Sequence, residues 1–308
     1  MVWPPDYKRR WTVASETALA GVGLHSGLAS RVTLIPSLSG GLTMALEDAA
    51  PVSLHPGLAR EQRLCTALQL PTGLIRTVEH LLAALAGVGI SDVRIQVEGR
   101  EVPLLDGSAL PWVEAVATVG LHPLAGQRFP LVVRETACIH AGESHILALP
   151  HDGLRLSVAV NYPSRAIGQQ FYEVDLTPER FVDHVAPART FGFQDQLDAL
   201  RSAGLIRGGS LRNALVCNDR HWLNPPLRFT NEPARHKLLD LIGDLALLGC
   251  FPHGHVSAYR AGHALHTQLA AKLAMCSVPL PPPHPTDDHV RHPARSNPGQ
   301  HPEPGVAQ

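Results

Sequence analysis

The chain has no run of about 18 apolar residues, so no segment reads as a membrane-spanning helix. Its N-terminus, Met-Val-Trp-Pro-Pro-Asp-Tyr-Lys-Arg-Arg, lacks an apolar core next to its positive charges, so an export signal is not expected. An excess of either charge is also missing. Lys and Arg number 26 against 27 Asp and Glu, for a net charge of −1. That balance leaves no electrostatic footprint for nucleic acid or an anionic membrane surface. Cysteine is sparse and unpaired in pattern: Cys65, Cys138, Cys217, Cys250 and Cys276 are odd in number and scattered, with no Cys-x-x-Cys. Reduced thiols in a reducing compartment follow. These absences together lead us to expect a soluble cytoplasmic protein with no nucleic-acid partner and no stable membrane insertion.

What is present is a 308-residue chain that is 44% hydrophobic, enough for the cores of two ordinary domains, and unusually rich in histidine, with 18. The most informative stretch is Asn-Glu-Pro-Ala-Arg-His-Lys-Leu-Leu-Asp-Leu-Ile-Gly-Asp at 231–244. Pro233 suits the first turn of a helix, where its missing N–H removes no bond. His236, Asp240 and Asp244 then recur every four residues and share one helical face. An imidazole and a carboxylate one turn apart can bind one metal ion, but two ligands are too few for zinc, and a third has to come from elsewhere. The alternative reading is a solvated acidic face with an incidental histidine.

A second helix is expected after Thr77, which suits an N-cap, with Gly87 as its stop. Glu79 and His80 lie in its first turn. Neighbours on a helix differ by about 100° in direction, so one could bind a metal ion while the other acts as base toward the ion's water. A first-turn glutamate beside a partly buried histidine is the competing reading. Upstream, residues 10–20 read as one strand running into Gly-Val-Gly-Leu-His-Ser-Gly at 21–27. Ser26 stands where a dinucleotide fingerprint needs glycine, and a strand at 30–35 rather than a helix follows, so we read a loop that brings His25 close to a ligand. Residues 37–66 read as a small β insertion and 120–130 as a linker. Strands are expected at 131–136, 145–149, 154–162, 170–174 and 254–261. A strand–helix–strand excursion is expected at about 190–217. From residue 278 onward prolines and histidines crowd together without apolar periodicity, as in a disordered tail.

Six motifs stand in order: Gly-Val-Gly-Leu-His-Ser-Gly (21–27), Thr-Val-Glu-His-Leu-Leu-Ala-Ala-Leu (77–85), Leu-Asp-Gly-Ser-Ala-Leu-Pro (105–111), Ala-Arg-Thr-Phe-Gly (188–192), Arg-His-Lys-Leu-Leu-Asp-Leu-Ile-Gly-Asp (235–244) and Ala-Tyr-Arg-Ala-Gly-His (258–263). Over about residues 10–276 the chain closely resembles the UDP-3-O-acyl-N-acetylglucosamine deacetylases, which perform the committed step of lipid A synthesis in Gram-negative bacteria. Pro233, Leu265-His266-Thr267 and the Pro/His tail depart from the family's usual residues, but none removes a catalytic group.

The resemblance implies an α+β fold of two domains, each a β-sheet with a helix layer, packed as a β-α-α-β sandwich. A small β insert in the first domain and a β-α-β insert in the second belong to that pattern. The domains fall at 1–122 and 131–277, joined by a linker at 123–130. The resemblance also implies one zinc ion per chain, with Fe(II) as the other metal this ligand type can hold, on His80, His236 and Asp240. Glu79 is then the general base, and His263 the general acid oriented by Asp244. Thr190 helps to stabilise the oxyanion, and Lys237 contacts phosphate or carbonyl oxygen. Phe191, Gly209, Ser210, His25 and Cys65 are the implied substrate-side residues. The partner is a UDP-linked acylated amino sugar, and the protein is expected to act as a monomer. Two rivals remain: a zinc amidohydrolase for a different N-acyl sugar, and a metal-stabilised module that binds a sugar nucleotide without turning it over.

Overall fold

The computed structural model describes residues 1–276. The tail expected from residue 278 lies outside the described residues. The chain opens with β1 (Arg9–Val13), β2 (Thr17–Val22), β3 (Ala29–Pro36), β4 (Leu42–Leu46) and β5 (Val52–Ser53). It continues through β6 (Ala59–Gln62), β7 (Cys65–Leu70), β8 (Gly73–Arg76), α1 (Glu79–Gly87), β9 (Val93–Glu98), α2 (Leu110–Val119) and β10 (Leu121–Gln127). Strands β2-β3-β9-β4-β5 form one sheet in that order, with β4 parallel to β9 and the other neighbours antiparallel. Period-2 alternation explains the buried face of β9: Val93, Ile95 and Val97 are fully buried while Arg94 and Gln96 look the other way.

The later half contains β11 (Leu131–Val132), β12 (Ala137–Ala141), β13 (Ser144–Leu149), β14 (Leu154–Asn161), β15 (Gln169–Asp175) and α3 (Pro178–His184). Next come β16 (Phe191–Phe193), α4 (Leu197–Ser202), β17 (Leu215–Cys217), α5 (Glu232–Leu245), β18 (Pro252–Tyr259) and α6 (His263–Cys276). The second sheet has the order β12-β13-β18-β14-β15, with β11 alongside β18. Helix α5 lies on β14 and β15, α6 lies on β12 and β13, and α2 lies against β2. Helices α1 and α5 pack on each other. The layers are therefore sheet, helices, helices, sheet: the expected α+β sandwich.

The α1–α5 crossing is close because Gly243 has no side chain. A Cβ there would lie 2.1 Å from the carbonyl oxygen of Glu79, backbone that cannot yield. Leu238, Leu239, Leu241 and Ile242 of α5, and Leu81, Leu82 and Leu85 of α1, are fully buried. Each such side chain contributes about 1.5–3 kcal/mol through burial, enough to seat two titratable faces against each other. The apolar core runs continuously through both halves of the described chain.

Several expectations are corrected. Residues 10–20 are two strands, β1 and β2, with β1 in a separate ribbon with β10. That pairing also turns most of the expected linker at 120–130 into a strand. The β insertion is not 37–66. Strands β4 and β5 belong to the main sheet because Leu42, Met44 and Leu46 are buried there. The separate β6-β7-β8 sheet spans 59–76 instead. The strand expected at 131–136 is only two residues long, and β12 follows it. At 191–217 the chain forms β16-α4-β17, with the two strands parallel. Thr77 does not cap α1. Val78 holds that position, and Thr77 has a left-handed φ of 59° and donates its hydroxyl proton to Glu101 at 3.0 Å. Gly87 is the last helical residue rather than a stop, and a Cβ there would meet the Phe181 ring at 2.5 Å.

Candidate metal and acid–base site

Helix α5 brings His236 and Asp240 one turn apart on its buried face, and α1 brings His80 to meet them. Ligand-type atoms of His80, His236 and Asp240 lie within 4.8 Å of one another. The His236 Nε2 and His80 Nε2 atoms are 3.4 and 3.8 Å from Asp240 Oδ1. That oxygen is buried and has no hydrogen-bond donor among the described residues. An ionised oxygen left so is costly unless a cation completes it. The His236 Nδ1–H donates to the Ala188 carbonyl at 3.1 Å, which leaves its Nε2 lone pair free. Burial holds the His80 imidazole down to about 3 and also lowers that of His236, so both favour the neutral form, whose free ring nitrogen a metal ion needs. Burial acts against Asp240 ionisation, but Lys237 and the surrounding histidines outweigh it and keep the carboxyl far below the usual range. Two neutral imidazoles and one orphaned carboxylate oxygen fit a divalent metal with positions left open.

The acid–base groups border this set. Glu79 is buried, and desolvation pushes its carboxyl up to about 8 against the opposing pull of His263. Its Oε2 accepts the Thr66 backbone N–H at 3.0 Å. Burial alone would depress His263, but the Asp244 charge and hydrogen bond, with help from Asp240 and Glu79, push it up to about 9. Its Nδ1–H donates to Asp244 Oδ2 at 2.9 Å, and its Nε2 lies 3.9 Å from Asp240 Oδ2. One group thus holds a weakly acidic carboxyl beside an imidazolium that persists at neutral pH, an arrangement suited to proton transfer in both directions.

Lys237 donates to Asp240 Oδ2 at 2.8 Å, and the Asp240 charge offsets its burial to keep it protonated. Its Nζ is 5.9 Å from the Phe191 ring centroid, and Phe191 is 6.2 Å from the His236 ring. Tyr162 closes the aromatic group at 5.5 Å from Phe191. Thr190, between Ala188 and Phe191 in sequence, donates its backbone N–H to Gly107 at 2.7 Å. The 105–111 turn therefore buttresses this edge. Its Asp106 is tied at 2.8 Å to Arg228, whose own backbone N–H donates to Glu232 on α5.

Cys65 is buried, and burial together with the nearby Glu79 charge pushes its thiol up to about 12. It stays a thiol and is not one of the clustered ligand atoms. His25 is fully buried, with neither ring nitrogen hydrogen-bonded. Its loop is organised by Glu101, which accepts the N–H groups of His25 at 2.7 Å and Ser26 at 2.8 Å. Gly23 is required there, since a Cβ would sit 2.4 Å from Glu101 Oε2. Gly208 N–H donates to Leu24 at 2.9 Å, and a Cβ on Gly209 would approach the Leu24 side chain at 3.5 Å. The structure thus joins the 21–27 loop to the start of the Gly-Gly-Ser segment, whose Ser210 is exposed and bonded to Asn213.

Sequence reasoning missed Thr66, Glu101 and the ring of His266. Thr66 and Glu101 act by holding backbone or hydroxyl groups, which carries no motif. His266 stands out in the sequence only as a departure from the family pattern; its place three residues after His263 on one helix face is the signal that points to it.

This fold carries a buried two-histidine, one-carboxylate group of the kind that metal-dependent enzymes use to hold a divalent ion. Residues 10–275 match the family described as UDP-3-O-acyl N-acetylglycosamine deacetylase, and the chain belongs to that family. It is 49% identical over 269 residues to a Synechocystis sp. UDP-3-O-acyl-N-acetylglucosamine deacetylase, covering 85% of this chain and 98% of the relative. The protein of the same name from Thermosynechococcus vestitus is 48% identical over 271 residues, covering 87% and 94%. A probable UDP-3-O-acyl-N-acetylglucosamine deacetylase 1, mitochondrial, of Arabidopsis thaliana is 37% identical over 292 residues, covering 88% and 90%. No helix among the described residues is long and apolar enough to cross a membrane.

Proposed function

We propose that the chain hydrolyses the N-acetyl group of UDP-3-O-acyl-N-acetylglucosamine, giving UDP-3-O-acyl-glucosamine and acetate in the committed step of lipid A synthesis. The observation that carries this reading is the orphaned Asp240 Oδ1 facing two imidazole nitrogens, with Glu79 and His263 both electrostatically coupled to Asp240. His80, His236 and Asp240 would hold one zinc ion. When bound, zinc supplies Lewis-acid polarisation of the acetamide carbonyl and lowers the pKa of a water to about 7.

Glu79 takes a proton from the attacking water as its oxygen adds to the acetamide carbon. The Thr66 N–H fixes that carboxylate from behind. The Thr190 hydroxyl and the protonated His263 stabilise the oxyanion, and each such donor is worth about 3–4 kcal/mol in the transition state. His263 Nε2 then gives its proton to the sugar nitrogen, so the C–N bond breaks toward a neutral amine rather than an amide anion. Asp244 keeps the imidazole charged and turned with Nε2 toward the site. Lys237 and Phe191 contact the substrate's polar head, with His25 close to the sugar and Cys65 near the metal group, and the Gly209–Ser210 segment borders the acyl chain. We assign residues 1–122 and 131–277 to two domains, with the site on the helices between their sheets. A cytoplasmic monomer is the form we assign.

The test compares acetate release from the full substrate, from its analogue lacking the 3-O-acyl chain, and from acylated N-acetylglucosamine lacking UDP. Turnover should fall at least 100-fold for both truncated molecules. Equal turnover of either one would point to a different N-acyl sugar as substrate, and tight binding without turnover of all three would identify a binding module.

A further inference from the structure

Asp244 is wholly buried, and it has more donors than its partnership with His263 requires. Three side chains converge on it. Thr66 of β7 donates its hydroxyl to Oδ1 at 2.5 Å. His263 and His266, three residues apart on α6, both present Nδ1 to Oδ2 at 2.9 Å. The carboxylate can only accept, so His266 carries its proton on Nδ1. His266 and Thr66 are each 1% exposed, and neither touches the three metal-ligand residues through any hydrogen bond.

The placement of His263 makes these extra donors consequential. It is the first residue of α6, where backbone N–H groups lack intrahelical partners and the turn frays most readily. His266 sits at i+3, on the same face, and ties that first turn to α5 through Asp244. Thr66 holds the other carboxylate oxygen from the insert sheet, so the Asp244 plane cannot swing. The same Thr66 residue anchors Glu79 by its backbone N–H.

We propose that Thr66 and His266 are positioning residues, a two-sided cradle that fixes Asp244 and thereby aims His263 at the leaving nitrogen. The inference rests on His263 being the proton donor. Neither residue touches substrate. A donor displaced by about 1 Å can lose roughly 100-fold in rate, which sets the size of effect available.

Four variants of the full-length, metal-loaded enzyme test the cradle: Thr66→Val, Thr66→Ser, His266→Leu and His266→Asn. Valine keeps the Thr66 shape and the N–H to Glu79 but removes the hydroxyl. Asparagine places a side-chain N–H near the position of His266 Nδ1. The valine and leucine variants should lose about 10- to 100-fold in kcat with KM and bound metal unchanged, and serine and asparagine should restore most of it. His263→Ala serves as the reference. Combined with His263→Ala, the cradle variants should add little further loss, because groups acting through one another are non-additive. The cradle is overturned if both apolar variants keep kcat within about threefold while His263→Ala loses activity. It is equally overturned if serine and asparagine rescue nothing, or if the losses multiply in full with His263→Ala. If His263→Ala itself retains kcat, the proton-donor assignment falls first. The two sites are on different elements, so one variant that does not fold leaves the other decisive.

Discussion

Replacing Glu79 with glutamine should remove turnover and yet stabilise the metal-free protein. The buried carboxyl is pushed from an ordinary 4.5 up to about 8, chiefly by desolvation. At 1.36 kcal/mol per unit, the shift costs about 5 kcal/mol well above pH 8, where the folded carboxyl is ionised, and about 3 kcal/mol at pH 7, where folding makes it take up a proton. The folded carboxyl holds its proton more tightly than the unfolded one. Its contribution is therefore fully favourable below about 4.5 and is lost as pH rises through 8. Glutamine keeps an oxygen for the Thr66 N–H and removes this pH dependence, at the expense of burying an amide. A net gain of about 1–3 kcal/mol at pH 8.5 follows, or roughly 2–5 °C in Tm for a chain of this size. Loss of the base should lower kcat about 100- to 10,000-fold. The assays are acetate release with metal present, and thermal unfolding after chelation at pH 6 and pH 8.5. Wild-type turnover in Glu79→Gln, or a Tm advantage that fails to grow with pH, would refute the reasoning.

Asp240→Ala should leave the chain folded but with less than about a tenth of the stoichiometric metal, as measured by elemental analysis, because two imidazoles alone hold zinc poorly. His263→Ala should erase the alkaline limb of the kcat/KM profile: the wild-type limb falls as pH rises through about 9, where the imidazolium is lost. Gly243→Ala should lower stability by more than about 3 kcal/mol in urea titrations, since its methyl would lie 2.1 Å from the Glu79 carbonyl oxygen and force α1 off α5.

The chemistry-bearing helices were legible in the sequence because their signals are local. Pro233 and the four-residue spacing of His236, Asp240 and Asp244 are properties of one helix, and the structure keeps all three side chains buried. Glu79 and His80 were legible as a pair for the same reason. That α1 would lie across α5 came only with the family resemblance and not from spacing, because a crossing depends on Gly243 meeting a backbone 164 positions away in sequence. Strand partners are equally non-local. Residues 121–127 look like a loop from their Gly and Pro content, and they become a strand only because β1 offers an edge. Residues 42–46 joined the main sheet because β9 accepted them in parallel. Thr66 and Glu101 were invisible for a further reason. Each works through hydrogen bonds to partners distant in the chain, and no spacing rule announces a buried acceptor. The glycine loop at 21–27 was read as a ligand cradle, and its first task in the fold is to wrap the Glu101 carboxylate.

The most direct test of the account is metal dependence in the full chain. Acetate release from UDP-3-O-acyl-N-acetylglucosamine should disappear on chelation and return when one equivalent of zinc per chain is added. Undiminished release from protein verified to be free of metal would contradict the assignment of His80, His236 and Asp240 as the centre of catalysis.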